Sequence, residues 1–206
     1  MITAIRAVFL TAFFFLIFIG KMNLWLILFA ATLLLAVGFG RIYCGYVCPM
    51  NTVMIPTEWL SLKLKIQKKD PPKWLASGKF GWITLIFSLF LMIVGKRFLG
   101  KNIPVLLIWV ALSVIITLRY KPFIFHNLIC PFGVVQKLFS KSPWKSERVD
   151  EETCNGCTLC ERVCPSAAVE VNEQKKAIID ESLCFQCTNC QTICPKKAIA
   201  YKSKNK

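Results

Sequence analysis

Acidic residues are all but missing from positions 1 to 146 of this chain, where Glu58 and Asp70 are the only two. The formal charge of +15 therefore belongs to that part, because from Glu147 onward nine Lys and Arg balance nine Asp and Glu. A basic excess of this size can mark a nucleic-acid binder. Here it flanks long apolar runs, which points to membrane lipid as the partner and leaves nucleic acid out. Ionisable side chains are also missing from the middle of all four apolar runs, Ala4–Gly20, Leu24–Phe39, Phe80–Gly95 and Ile103–Leu118. Proton and ion pathways leave such groups inside a membrane, so a pump is not expected of this chain alone; in a larger ion-pumping oxidoreductase, other subunits would have to carry the ions. No small-x-small cleavage site follows Ile19 before the next apolar run begins, so the first run is read as a retained helix, not a leader.

What is present is strongly apolar, with 55% hydrophobic residues and a mean hydropathy of +0.54. The four runs sit near the lower length limit for crossing about 30 Å of hydrocarbon, and they pair as two hairpins. Four spans place both termini and the loop 41–79, with its seven Lys and Arg, on one side; Lys21, Lys96, Arg97 and Lys101 fall on the other. The positive-inside bias then predicts a multi-pass protein of the cytoplasmic (inner) membrane with its C-terminal part in the cytoplasm. Thr11, Thr32, Thr84, Ser88, Ser113 and Thr117 are the polar residues within the spans, expected to bond between helices. The segment Ile55–Ile66 sets Ile55, Trp59, Leu62 and Ile66 on one helical face and reads as an interfacial amphipathic helix ended by Pro71 and Pro72.

Eight of the eleven cysteines fall into two copies of C-x2-C-x2-C-x3-C-P, thirty residues apart, an internal duplication. This spacing holds 4Fe-4S clusters, with the fourth cysteine of each run serving the other run's cluster. Cys154, Cys157, Cys160 and Cys194 are thus assigned to a first cluster, and Cys184, Cys187, Cys190 and Cys164 to a second. Gly156 eases the first loop, and Pro165 and Pro195 turn the chain away after the last ligand. Zinc would not require the third cysteine of each run, and disulfides do not suit a reducing compartment. Strands are expected at Val169–Val171, Ala177–Ile179 and Ala198–Tyr201, around a core so small that cluster ligation must supply folding energy. The fold class that results is an α-helical membrane domain of four transmembrane helices in a two-hairpin pseudo-repeat, residues 1–132, a linker, 133–146, and a small α+β two-cluster ferredoxin domain, 147–206.

Three cysteines remain, Cys44 and Cys48 in R-I-Y-C-G-Y-V-C-P and Cys130 in F-I-F-H-N-L-I-C-P-F-G. Aligning the two segments on Cys-Pro sets His126, the only histidine, opposite Cys44. Halves 1–50 and 80–132 read as a parallel repeat that brings Cys44, Cys48, His126 and Cys130 together, each pair four apart on one helical face. The set is a candidate third iron-sulfur or metal centre; a Cys3His zinc site, buried inert thiols and a site shared with another subunit are the alternatives.

The order of four spans, R-I-Y-C-G-Y-V-C-P, a second Cys-Pro segment and a double-cluster tail resembles the NapH/NosR-type membrane polyferredoxins over nearly the whole chain. The resemblance implies a quinol-linked electron-transfer subunit, of the kind used in periplasmic nitrate and nitrous oxide reduction systems. That family's second segment is also C-x3-C-P, from which this chain departs at His126. The residues themselves point the same way: two cluster sites tethered to a lipid-soluble pool suit electron transfer between menaquinol or ubiquinol and a redox partner protein, in the manner of a quinol dehydrogenase subunit. A redox sensor or an assembly factor is the competing class. No quinone motif exists; the expected place is a cleft near Tyr43, Tyr46 and Trp59, with Glu58 the nearby acid, although a solvated glutamate is the plainer reading.

Overall fold

The apolar runs become helices because nothing in them interrupts the backbone ladder, and the first hairpin turns at Gly20, whose φ of 76° a side chain would resist. The computed structural model describes residues 2–68, 71–72, 74–75, 77–98 and 104–204; Asp70, Lys101 and Ile103, named above, lie outside them. Helices α1 (Ile2–Phe18) and α2 (Met22–Phe39) form the first hairpin, and α4 (Lys79–Phe98) and α5 (Val105–Arg119) the second, with α3 (Pro49–Lys63) between the hairpins in sequence. Of the four expected spans, α2 and α4, 18 and 20 residues long, have the length and composition to cross a membrane, whereas α1 and α5 are apolar but shorter, at 17 and 15 residues. At 1.5 Å per residue the longer pair reaches about 27 and 30 Å.

The helices are arranged with apolar bulk outward and polar groups inward. Phe18, Leu34, Ile86 and Ile93 are exposed, at 90%, 75%, 67% and 65%, while Arg6, Thr32, Thr84, Ser88, Ser113 and Thr117 are buried. Thr84 donates to the Ile129 carbonyl and Trp109 Nε1 donates to Ser88 Oγ, both between elements, and Gln136 reaches Thr32. The expectation of interhelical bonding holds for these three only. Ser113 and Thr11 bond to carbonyls of their own helices, and Thr117 Oγ1 finds no partner. Aromatic packing closes the centre: Phe13 meets Trp25 edge-on at 5.1 Å, and Trp25 Nε1 donates to the Tyr43 hydroxyl at 3.0 Å.

Helix α3 differs from the expected interfacial segment. It begins at Pro49, a favoured first position because the missing N–H has no intrahelical partner. It stops at Lys63, well before Pro71, where Lys65 takes a left-handed φ of 55°. Met50, Asn51, Met54, Thr57 and Ser61 are buried, and Ser61 donates to the Leu118 carbonyl of α5. Ile55, Trp59 and Leu62 are exposed on α3, and Ile66, also exposed, lies beyond the end of the helix.

Each hairpin is followed by the same irregular unit. A π-helical turn, Tyr43–Val47, leads to extended Cys48 and then α3; α6 (Pro122–Ile124) and a second π-helical turn, Phe125–Ile129, lead to extended Cys130 and then α7 (Pro131–Phe139). Cys48 and Cys130 have φ and ψ of −65°, 118° and −65°, 119°.

The C-terminal part adds β1 (Lys145–Val149), α8 (Leu159–Arg162), β2 (Val169–Val171), β3 (Ala177–Ile179), α9 (Asn189–Ile193) and β4 (Ile199–Ser203). β1 pairs antiparallel with β4, from Lys145 opposite Ser203 to Val149 opposite Ile199, and β2 with β3, from Val169 opposite Ile179 to Val171 opposite Ala177. Two-stranded ribbons are marginal alone. Their small core joins Val169, Ala177 and Ile199 to Cys160 and Cys190.

Candidate functional site

The thirty-residue duplication is written into the backbone. Left-handed φ angles recur at Gly156 and Gln186, Thr158 and Thr188, and Ala167 and Lys197. Each short helix starts after the threonine of such a pair, and each repeat bonds an amide to its last thiol, Ala168 N to Cys164 Sγ at 3.3 Å and Ala198 N to Cys194 Sγ at 3.4 Å. Gly156 could not be replaced in kind: a Cβ there would stand 2.2 Å from the Lys175 carbonyl oxygen. The equivalent Gln186 tolerates its φ of 56° because its buried side chain is used, with Nε2 donating to Ser146 Oγ at 2.9 Å and Oε1 accepting from Glu147 N at 3.0 Å.

Cys154, Cys157, Cys160 and Cys194 line one small cavity together with Gly156 and Ile199. Around the second set, burial pushes the Cys184, Cys187 and Cys190 thiols up, the last to about 12, and the Cys164 sulfur adds to the rise at all three. Each last cysteine of a run therefore stands with the other run's first three. The two sets differ in setting: Cys184, Cys187 and Cys190 are buried, whereas Cys157 is exposed.

The second set faces the helices. Tyr46, in the first π-turn, donates to the Gln186 carbonyl at 2.8 Å, and Asn127, in the second, donates to the Ser166 carbonyl at 2.7 Å. Gln186 lies between Cys184 and Cys187, and Ser166 two residues after Cys164. The approach is close enough that a Cβ on Gly45 would lie 2.2 Å from the Phe185 carbonyl oxygen. Phe185 inserts its ring against His126, centroids 5.0 Å apart, with the Arg41 guanidinium 4.9 Å over its face.

Cys44, Cys48, Cys130 and His126 are all buried, at 3%, 2%, 2% and 1%. The spacing of four is delivered by π-turns and not by one face of an α-helix, as Cys48 N bonds Tyr43 O at 2.8 Å and Cys130 N bonds Phe125 O at 2.7 Å, five residues back. Their charges reach one another: Cys48 is raised by burial and then by Cys44 and Cys130. Burial, aided by Arg41, lowers His126 to about 3, so its imidazole is neutral and fit to ligate. His126 Nε2 has no hydrogen-bond partner although buried, an orphan that a metal bond would satisfy. Among the described residues no three His, Cys, Asp or Glu side chains converge as a single ion requires.

The cleft expected for a quinone does not form. Tyr43 is buried against Trp25 and Phe29, Tyr46 is spent on Gln186, Trp59 is exposed, and Glu58 lines a different groove with Lys121, Arg162 and Cys164. A cavity of about 560 Å³ lies elsewhere, walled by Phe29, Ser88, Met92 and Leu106 and reaching Pro131, the residue after Cys130. Sequence reasoning also missed Arg41 and Gln186, whose partners lie 86 and 40 residues away.

A family profile described as a 4Fe-4S binding domain matches residues 24–67 and 102–148, the two Cys-Pro segments, and one described as a 4Fe-4S dicluster domain matches 153–198. The chain is 30% identical over 130 residues to an uncharacterized protein of Methanocaldococcus jannaschii, covering 61% of this chain and 52% of that one. It is 26% identical over 153 residues to the ferredoxin-type protein NapH of Haemophilus influenzae, covering 63% and 49% of the two chains. To the methylamine utilization ferredoxin-type protein MauN of Methylobacillus flagellatus it is 29% identical over 151 residues, covering 63% and 50%. The chain thus spans about half the length of these relatives. No solved structure matches it significantly. Paired Cys-Pro turns, a duplicated cysteine module and ferredoxin-type relatives agree: the chain carries 4Fe-4S binding and 4Fe-4S dicluster domains and is similar to the NapH-type polyferredoxins, which supports iron-sulfur electron transfer of the ferredoxin type.

Proposed function

We propose that this chain is a multi-pass protein of the cytoplasmic membrane, crossing it with α1, α2, α4 and α5, that links the quinone pool to a redox partner protein. Cys154, Cys157, Cys160 and Cys194 hold one 4Fe-4S cluster, and Cys164, Cys184, Cys187 and Cys190 a second, within a ferredoxin domain running from about residue 147 to the end. Cys44, Cys48, Cys130 and His126 hold a third thiolate-ligated centre. Such groups, when bound, accept and donate single electrons. The observation that carries the reading is the seat of the cysteine module: the loop bearing Cys184 and Cys187 is hydrogen-bonded to the turn bearing Cys44 and Cys48, at the end of helices whose outer faces are apolar.

The chain's own residues do three things in this scheme. Outward Phe, Leu and Ile side chains dissolve the helices in lipid, where inward Thr32, Thr84 and Ser88 bond to neighbouring elements. Phe185, Ile129 and Phe125 exclude water from the buried thiols. Backbone amides of Ala168, Gln186 and Ala198 point at Cys164, Cys184 and Cys194, and such bonds to sulfur raise a cluster's potential. The apolar cavity ending at Pro131 suits a quinone ring and its tail, a place that the surroundings of Tyr46 do not offer.

The test is to add reduced quinol to anaerobically purified protein in lipid vesicles and follow the iron-sulfur absorbance. Bleaching is the expected outcome. Absence of bleaching in protein that dithionite does reduce would overturn the quinone link and favour a sensor or assembly role.

A further inference from the structure

Arg41 is wholly buried, at 0% exposure, and among the described residues the only ion pair is Arg148 with Glu181, elsewhere in the chain. Glu58 and Asp70 are the only acids before Glu147, so the helical part has almost no carboxylate to offer. The guanidinium instead donates from Nη1 to Asn127 Oδ1 at 3.2 Å and from Nη2 to Cys44 Sγ at 3.7 Å, and lies over the Phe185 ring; its Nε has no partner. A neutral thiol is a weak acceptor and one amide oxygen is one neutral bond. Neither compensates a cation taken wholly out of water, and a buried charge without a counter-charge is among the most destabilising features a fold can carry.

The geometry points to a net negative charge in the constellation of Cys44, Cys48, Cys130 and His126, carried by a metal-thiolate group, with Arg41 as its buried counter-ion. The inference rests on the third centre proposed above and adds its charge, its compensating residue and a reason the thiols are not inert. Three neutral thiols and a neutral imidazole would leave Arg41 uncompensated, whereas thiolates bound to iron bring negative charge to the sulfur that Arg41 already touches. A cation beside such a centre favours the reduced, more negative state, so Arg41 also raises its potential. Arginine suits the place because its planar fork bonds Asn127 and Cys44 together while stacking on Phe185, which a lysine ammonium cannot do.

The test compares the full-length protein with Arg41→Met and Arg41→Lys, purified anaerobically, by iron and acid-labile sulfide content and by potentiometric EPR. About twelve irons per chain are expected in the unsubstituted protein. Arg41→Met loses about four of them, or keeps them with the membrane centre's potential moved negative while the two ferredoxin signals stay in place. Arg41→Lys falls between. In a Cys130→Ala background, where the anionic group cannot assemble, Arg41→Met is expected to raise the thermal midpoint, because it replaces an uncompensated cation by an apolar side chain. In the Cys130-containing protein it lowers the midpoint. Twelve irons with no change in content, potential or stability on Arg41→Met overturns the counter-ion inference and leaves the third centre standing. About eight irons and no zinc in the unsubstituted protein overturns both.

Discussion

At the scale of single residues, the crossed arrangement of thiols makes the sharpest demand. Cys164 lies just past the end of α8, the short helix that carries Cys160, yet its sulfur acts on Cys184, Cys187 and Cys190. Cys164→Ala is therefore expected to remove about four irons and to leave the same residual EPR spectrum as Cys184→Ala. A residual spectrum matching that of Cys157→Ala would reverse the assignment. The crossed pairing is what two identical runs thirty residues apart predict, and this comparison of variants tests it. Gln186 was not legible. Nothing in C-F-Q-C-T-N-C says that the glutamine in the position of Gly156 will fill the space beside Ser146 and lend its carbonyl to Tyr46.

At the scale of elements, the two π-turns decide how the pieces meet. A π-turn inserts one residue into the helical repeat, so it swings the following Cys-Pro out of the helix and leaves the turn's own backbone open to a neighbour. The first turn uses this freedom at Gly45, whose carbonyl accepts from Arg6 at 2.7 Å while its bare Cα admits the Phe185 carbonyl. Gly45→Ala puts a methyl 2.2 Å from that oxygen, with backbone on both sides and no flexible end to yield. The substitution is expected to loosen the docked module at a cost of about 1–3 kcal/mol, typical of overpacking. Faster limited proteolysis within residues 140–144, with iron content unchanged, is the measurement; an unaltered cleavage rate would refute the docking role. Sequence periodicity could find α2, α4, β2 and β3, whose pattern lies within each segment. It could not find the π-turns, since a repeat of five-back bonds over five residues leaves no periodic trace, and it placed α3 too late because Pro49 is read as a break as easily as a start.

At the scale of the whole molecule, the charge asymmetry and the fold make one joint demand. Residues 41–68, the end of α5 and the start of α6 come together, with Arg119 Nη1 donating to the Ile66 carbonyl and Lys68 N to the Arg119 carbonyl. This basic end also carries both Cys-Pro turns and the docked cysteine module. Lys21, Lys96 and Arg97 sit at the opposite ends of the hairpins, so the module's end holds the larger share of positive charge. The surface potential of the cytoplasmic leaflet is negative and attracts juxtamembrane Lys and Arg at about 1 kcal/mol each, so the more basic end is expected to remain inside. A cysteine-free reporter fused after Lys206 should then read as cytoplasmic, and one inserted at Gly100 as external. The two must change together, because Tyr46 and Asn127 tie the C-terminal module to turns that follow the C-terminal ends of α2 and α5, at the end of the hairpins opposite the C-terminal end of α4. An external reading after Lys206 would put the Cys157 face, the more exposed of the two sets, in an oxidising space, and a soluble partner would have to be sought there.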